Sequence, residues 1–291
     1  MVTVGELRKS VQVPVRRYND VAGVLVGDHV SIHLTRLFIA WGISPTVATV
    51  GMLVTGVGGS LLVLAGGWPA AVGFGLVFLY YVLDCVDGEV ARYHRGEKLV
   101  WGYYEFLFHL AVKSSFFLCL GIYAVRTTGE PTFFFFALAP LLAILFQKFL
   151  LDLAPMLACR YVLLSTNESR DRFARQMTEG TPKELLARDG DLPGDQEPFV
   201  LAGVLSTIRA VATNFDLATL FFLAAALADL WIGPFVVRSL SVDLKTVLLA
   251  YYGVSLPLDF LDRLRWHVRT KRFQADCRRI LRRAHHYRLP E

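Results

Sequence analysis

The feature that most constrains the fold of this chain is a series of long apolar stretches. A helix of about 20 residues spans a hydrocarbon core that is about 30 Å thick, and mainly apolar windows of that length recur along the sequence. Of the 291 residues, 54% are hydrophobic and 19% are charged, which is too apolar for an ordinary soluble domain. We therefore predict an all-α, polytopic membrane protein, a six-transmembrane-helix bundle with spans at roughly 46–66, 69–91, 101–125, 132–157, 200–232 and 243–262.

The distribution of basic residues predicts the orientation of these spans. The connections near 67–68, 126–131 and 233–242 contain Arg126 and Arg238, whereas the connections on the other side carry nearly all of the remaining Lys and Arg. By the positive-inside rule, we expect both termini to be cytoplasmic and the protein to lie in the cell (inner) membrane.

Three segments are expected on the cytoplasmic side of the bundle. Residues 1–45 contain an N-terminal interfacial helix at about 30–42, where apolar and charged residues share one amphipathic pattern. Residues 159–197 are rich in charge and are predicted to be a loop. The basic tail 263–291 is suited to anionic lipid headgroups, and we expect it to meet a membrane surface rather than nucleic acid.

Carboxylates interrupt the second apolar stretch near its cytoplasmic end. The sequence there is Asp84-Cys-Val-Asp87-Gly88-Glu-Val-Ala91-Arg92, and positions 84, 87, 88 and 91 of a helix fall on one stripe. An ionisable residue inside a membrane span is costly enough that a functional role is the default expectation. Gly88 and Ala91 are small, so we expect a neighbouring helix to approach the two carboxylates closely.

The third apolar stretch carries a matching polar stripe. Glu105, His109 and Lys113 recur every four residues and therefore lie near one face of a helix. Clustered carboxylates at low dielectric repel one another unless they share a proton or bind a cation. Carboxylate oxygens suit Mg²⁺, Mn²⁺ or Ca²⁺, and an imidazole widens the choice toward Fe²⁺ and Zn²⁺, so these stripes predict a divalent metal site. Lys113 either pairs with these acidic neighbours or holds a substrate phosphate.

The two stripes together resemble the signature of the CDP-alcohol phosphotransferase family, Asp-x2-Asp-Gly-x2-Ala-Arg-x8-Gly-x3-Asp-x3-Asp, which covers the second and third of six membrane helices. Five residues match its first half: Asp84, Asp87, Gly88, Ala91 and Arg92. In the second half, Trp101 stands where the family has Gly, and Glu105 and His109 stand where it has the third and fourth Asp. Trp101 is either an interfacial aromatic residue or a bulky side chain that reshapes the nucleotide pocket.

The resemblance implies transfer of a phosphate-linked group from a CDP-alcohol, such as CDP-diacylglycerol, to an acceptor hydroxyl, with release of CMP. It implies that Mg²⁺ or Mn²⁺ is held by Asp84, Asp87, Glu105 and His109. It implies that the CDP-binding residues are Asp84, Gly88, Ala91 and Arg92. His109 is also the candidate catalytic base, and a homodimer that acts in phospholipid or related biosynthesis is expected.

Basic residues elsewhere are candidates for holding the phosphate of an acceptor or lipid. They are Lys113, Arg160 near the cytoplasmic end of the fourth span and Arg209 in the fifth apolar stretch. Arg160 and Arg209 also fit a structural role as cations that snorkel to the interface. Two other functions stay open for the chain: a non-catalytic membrane protein on the same scaffold that binds lipid, nucleotide or metal, and a proton or metal transporter.

Overall fold

The protein is mostly helical. The computed structural model describes residues 2–14, 22–94, 99–164, 204–237 and 239–269, and within these ranges the side chains at 99–103, 148, 150–164, 204–207 and 210 lie outside the description. The helices, in chain order, are α1 (Val4–Val11), α2 (Asp28–Ala40), α3 (Pro45–Val63), α4 (Gly67–His94), α5 (Leu99–Thr128), α6 (Thr132–Leu164), α7 (Val204–Thr213), α8 (Phe215–Ile232) and α9 (Leu244–Arg269). A π-helical turn, Gly23–Gly27, leads directly into α2.

Several helices have the length and composition of membrane spans. Among the described residues, five helices qualify: α3, α4, α5, α8 and α9. In α6 the segment Thr132–Gln147 is apolar but shorter. These helices agree with the predicted class, an all-α membrane protein.

The fifth apolar stretch, which is too long for one span, is divided into two helices, and the helix of the fourth stretch is longer than predicted. α7 and α8 are separate because Asn214 caps α8, its side chain accepting a hydrogen bond from the Leu217 amide at 2.9 Å. α6 continues to Leu164, beyond the predicted end of the fourth span. The remainder of the predicted loop, 165–197, and the tail from 270 onward lie outside the described residues.

One helix and a pair of strands were not predicted. α1 begins with a capping box in which Thr3 and Glu6 satisfy each other's backbone amides, a Thr-x-x-Glu signal that the sequence does contain. Phe235–Val237 (β1) and Leu240–Val242 (β2) form a short antiparallel pair, which is an exception to the all-α prediction. Gly233 ends α8 with a positive φ of 71° and turns the chain toward this pair.

Close packing holds the spans together where glycine or aromatic residues meet. α3 and α4 are so near that a Cβ at Gly59 would lie 2.6 Å from the carbonyl oxygen of Gly73. Phe74 of α4 stacks on Phe222 of α8 with ring centroids 5.6 Å apart, and Phe116 of α5 packs edge-on against both. Small residues and interlocking side chains drive association inside lipid, because burying apolar surface gives little advantage there.

A buried ion cluster lies at the end of α4 and α5 farther from Asp84. Lys245, which is 4% exposed, has its Nζ 2.5 Å from Asp229 Oδ2 and 2.9 Å from Asp243 Oδ2. The Tyr123 hydroxyl donates a hydrogen bond to Asp243 at 2.5 Å. A cavity of about 320 Å³ adjoins these side chains. One ammonium lies between the two carboxylates, which also accept hydrogen bonds from the backbone amides of Leu244 and Thr246, so we assign the cluster a structural role.

By their contacts, the residues form two compact units. The first comprises Met1–Leu142 and Pro198–Pro257, and the second comprises Ala143–Glu197 and Leu258–Glu291. In the described part of the second, Phe146 stacks on Phe260 and Arg263 Nε donates to Asp259 at 2.6 Å. The candidate site described next belongs to the first unit.

Candidate functional site

Three of the four predicted metal ligands converge on one point. Asp84 of α4 meets Glu105 and His109 of α5, and each offers a ligand atom within 4.8 Å of the other two. His109 Nε2 lies 3.2 Å from Asp84 Oδ1 and 3.7 Å from Glu105 Oε1. All three side chains are partly exposed, so the cluster is accessible as well as compact.

Tyr80 orients the imidazole at the centre of this cluster. Its hydroxyl lies 2.5 Å from His109 Nδ1, its side chain is 1% exposed, and the two rings meet edge-on with centroids 5.7 Å apart. Because Nδ1 is engaged by Tyr80, Nε2 is the ring nitrogen that faces the carboxylates. Sequence reasoning missed Tyr80, although its spacing of four residues before Asp84 puts both on one helical face.

Asp87 lies outside this compact group and is hydrogen-bonded to α3. Its Oδ2 accepts a hydrogen bond from the hydroxyl of Thr49 at 2.8 Å, and Thr49 is buried. The compact group formed by Asp84, Glu105 and His109 does not include Asp87. The role of Asp87 as a ligand therefore stays a prediction.

The residues predicted to bind CDP lie on the last turns of α4. A Cβ at Gly88 would lie 3.0 Å from Arg92 Nη1, so the arginine four residues later folds back over this glycine. The expectation that a neighbouring helix approaches Gly88 stays a prediction. Arg92 Nε also donates to the carbonyl oxygen of Val11 at 2.8 Å, and Ala91 is buried.

Among the described residues, no contact brings the candidate phosphate-binding cations together. Lys113 lies one turn beyond His109 with its Nζ 5.0 Å from the ring centroid of Phe215, a cation–π contact that neither predicted reading included. Arg209 is exposed on α7. Arg160 lies in α6 and Trp101 lies in α5, but both side chains are outside the described set.

A further carboxylate acts on the site from α8. Asp216, in the first turn of that helix, is near enough to interact electrostatically with Tyr80 and Cys85. Sequence reasoning gave Asp216 no role in the site, because its distance from α4 depends on how α8 packs. Asp216 is thus a further carboxylate in the neighbourhood of Tyr80, the partner of His109.

The donor set fits a divalent cation. Two unit charges of one sign about 4 Å apart repel by about 4 kcal/mol at an effective dielectric of 20, and a bound cation or a proton on His109 would offset that repulsion. Two carboxylates and an imidazole suit Mn²⁺, Fe²⁺ and Zn²⁺, and carboxylates alone also suit Mg²⁺. A ligating histidine ordinarily has its second nitrogen held by a polar partner, as Tyr80 holds Nδ1 of His109.

Neither protein-family models nor curated protein sequences match this chain. Inference of a function therefore depends on the residues of the site and on the signature that they resemble.

Proposed function

We propose that the protein is a membrane-embedded, metal-dependent transferase of the CDP-alcohol phosphotransferase type. It would move a phosphate-linked group from a CDP-alcohol, such as CDP-diacylglycerol, to an acceptor hydroxyl and release CMP, in phospholipid or related biosynthesis. The observation that carries the proposal is the convergence of Asp84, Glu105 and His109 from α4 and α5. These residues occupy three positions at which the family signature has acidic residues.

The proposed reaction breaks one bond to phosphorus and forms another. The acceptor hydroxyl attacks the phosphorus that carries the alcohol group, the bond from that phosphorus to the CMP oxygen breaks, and CMP leaves with the electron pair. The hydroxyl proton passes to a base, for which His109 Nε2 is our candidate. A divalent cation, Mg²⁺ or Mn²⁺, held by Asp84, Glu105 and His109 with Asp87 beside them, would supply positive charge to the diphosphate and the leaving group.

His109 has two proposed roles that use the same nitrogen. Nε2 faces the carboxylates while Nδ1 contacts Tyr80, so one imidazole acts at a given moment as a ligand or as a base. We assign Gly88, Ala91 and Arg92 to the CDP site together with Asp84. The acceptor or lipid phosphate is assigned to the remaining candidate cations, Lys113, Arg160 and Arg209.

The proposal extends to the arrangement in the membrane. We propose six spans, with α6 as the span that the apolar segment Thr132–Gln147 begins, both termini in the cytoplasm and the cell membrane as the location. α2 is proposed to lie at the interface, because it exposes Leu37 while it buries Ile32, and Trp41 at its end is 71% exposed. A homodimer completes the proposal, on the family resemblance alone.

The test is release of CMP by the purified full-length protein. The protein is offered CDP-diacylglycerol, other CDP-alcohols and a polar and lipid extract of the host as acceptor source, with Mg²⁺ or Mn²⁺. We expect metal-dependent CMP from the wild-type protein and none from Asp84→Asn or His109→Ala. Glu130→Gln, a change at an exposed turn, is the matched control and should keep full activity.

The outcomes separate the candidate functions. Metal-dependent CMP that Asp84→Asn fails to produce supports the transferase, and mass spectrometry of the product identifies donor and acceptor. Full activity in either site variant removes that residue from the mechanism. No CMP from folded wild-type protein under either metal refutes the transferase and favours a binding or transport role, with Trp101 and His109 as marks of lost chemistry.

A further inference from the structure

A buried carboxylate that the proposed chemistry does not use joins α4 to the N-terminal segment, by which we mean the described residues 2–14 and 22–40. Glu89 follows Gly88 directly and is 1% exposed. Its Oε1 accepts hydrogen bonds from Gln12 Nε2 at 2.7 Å and Ser31 Oγ at 2.6 Å, and its Oε2 accepts one from Thr35 Oγ1 at 2.5 Å. The end of α1 and one face of α2 thus meet on a single side chain.

The burial of Glu89 makes its donors necessary. Moving an ionised carboxylate out of water costs several kcal/mol unless hydrogen bonds or a counter-charge replace the lost hydration. Within the described residues, the contacts of Glu89 are the three neutral donors, so these hydrogen bonds must supply that compensation. Gln12 strengthens the connection, since its Nε2 also donates to the carbonyl oxygen of Asp28 at 2.8 Å.

Glu89 lies on the same turns of α4 as the candidate site but on a different face. At 100° per residue, Glu89 is about 140° around the helix from Asp84 and about 160° from Asp87, and Cys85 and Arg92 lie between Glu89 and Asp84. The N-terminal segment therefore packs against the same turns of helix that carry the candidate metal and CDP residues.

Gly27 shows how closely the segment approaches this face. It lies in the π-helical turn before α2, and a Cβ built on it would be 3.0 Å from Cys85 Sγ. Such an approach leaves no room for a side chain at Gly27. Cys85 is partly exposed, and the close approach of the N-terminal segment limits access to its thiol, so the thiol will report the departure of that segment.

The end of α1 holds Arg92. Val11 is the last residue of α1, and its carbonyl oxygen accepts a hydrogen bond from Arg92 Nε at 2.8 Å. This bond directs the guanidinium along the helix so that Nη1 lies over Gly88. A guanidinium fixed through Nε presents its terminal nitrogens in the fork geometry that binds phosphate oxygens in pairs.

We propose that Glu89 is a positioning residue, which holds the N-terminal segment on α4 so that the segment holds the Arg92 guanidinium over Gly88 for a phosphate of the donor. The ligand assigned to Arg92 rests on the proposed function, since the diphosphate of a CDP-alcohol is the anion in question. The attachment of the N-terminal segment by Glu89 does not depend on that function.

The first experiment measures the attachment through Cys85. Cys119, Cys159 and Cys277 are replaced by serine, and the rate of maleimide modification of Cys85 is followed in detergent. We expect Glu89→Ala to raise this rate about tenfold, because losing about 1.4 kcal/mol of net attachment multiplies the open population by ten.

Two controls accompany the labelling. Glu130→Ala, at an exposed turn, should leave the rate at the wild-type value. Gln12→Ala removes one donor and should give an intermediate rate, which keeps the inference testable where Glu89→Ala fails to fold. A labelling rate that both Glu89→Ala and Gln12→Ala leave unchanged overturns the attachment.

The second experiment asks whether Glu89 acts through Arg92. Affinity for CDP in the presence of Mn²⁺ is measured for the wild type, Glu89→Ala, Arg92→Ala and the double variant. We expect each single variant to bind CDP at least about tenfold more weakly, because tenfold corresponds to about 1.4 kcal/mol and a hydrogen bond to a charged group contributes at least about that much. The double variant should match Arg92→Ala, since there is no guanidinium left to position.

The result of the second experiment separates the two proposals. Losses that add in the double variant overturn positioning through Arg92 while leaving the proposed function intact. Wild-type protein that binds no CDP overturns the proposed function and the assignment of Arg92 with it. The labelling of Cys85 then still decides whether Glu89 holds the N-terminal segment.

Discussion

Replacing Tyr80 with phenylalanine tests whether His109 is a preorganised metal ligand. The substitution removes one hydroxyl and keeps the ring that packs edge-on against the imidazole. His109 Nδ1 then loses the partner that lies 2.5 Å away. Since Tyr80 is 1% exposed, water has no access to take the place of the hydroxyl.

Two magnitudes follow from this geometry. A buried polar atom left without a partner costs about 1–3 kcal/mol, so we expect the free energy of unfolding of Tyr80→Phe to fall by about that amount. Loss of the group that orients a ligating histidine weakens metal affinity about 10- to 100-fold. Both effects should appear together, because one hydrogen bond is responsible for both.

The assays are thermal unfolding in detergent without metal and Mn²⁺ binding by equilibrium dialysis. Tyr251→Phe is the matched control, since its hydroxyl donates to the carbonyl of Ala212 at 3.2 Å on an exposed part of α9, where water can replace it. A Tyr80→Phe protein with the stability and Mn²⁺ affinity of Tyr251→Phe would refute the orienting role of Tyr80. Lower stability with unchanged Mn²⁺ affinity would refute the role of His109 as ligand.

Three further predictions concern the bundle and the site. Lys245→Met should lower the free energy of unfolding by about 3–5 kcal/mol, because it leaves two buried carboxylates without their counter-charge. Adding Asp229→Asn should restore part of the thermal stability, and no recovery would contradict a charge effect. Gly59→Ala should destabilise the protein by about 1–3 kcal/mol, because the added Cβ would meet the backbone of α4. Gly58→Ala is the control and should not destabilise it, since a Cβ there meets nothing within 4 Å. Equal unfolding temperatures of the two variants would refute the close α3–α4 contact. Mn²⁺ at 100 times its Kd should stabilise the wild type by about 2.7 kcal/mol, so removing it with a chelator should lower the unfolding temperature of the wild type and not that of Asp84→Asn. An equal shift in both proteins would mean that the metal binds elsewhere.

The helical class, the membrane-length helices and the polar stripes of α4 and α5 were readable from the sequence. These properties depend on composition and on a period of 3.6 residues, and both are local. Spacing alone was enough to put Glu105 and His109 on one face. The same rule, applied one turn before Asp84, would have found Tyr80.

The meeting of particular side chains was decided by the tertiary structure. Asp84 joins Glu105 and His109 while Asp87, three residues later, turns to Thr49, and the rotation of α4 between α3 and α5 makes that distinction. That rotation depends on close contacts between residues far apart in the chain, such as Gly59 and Gly73.

The roles of buried charges were likewise beyond the sequence. From the sequence, Glu89 is only one more acidic residue near the motif, and Lys245 is only a cation near the start of a span. Their roles became clear from the hydrogen-bond donors around Glu89 and the carboxylate beside Lys245. A charge is stable inside such a bundle only where partners from other helices surround it. Local pattern therefore determined which segments become helices and which faces are polar, whereas helix packing decided which polar groups meet, because partners distant in sequence compensate buried charge.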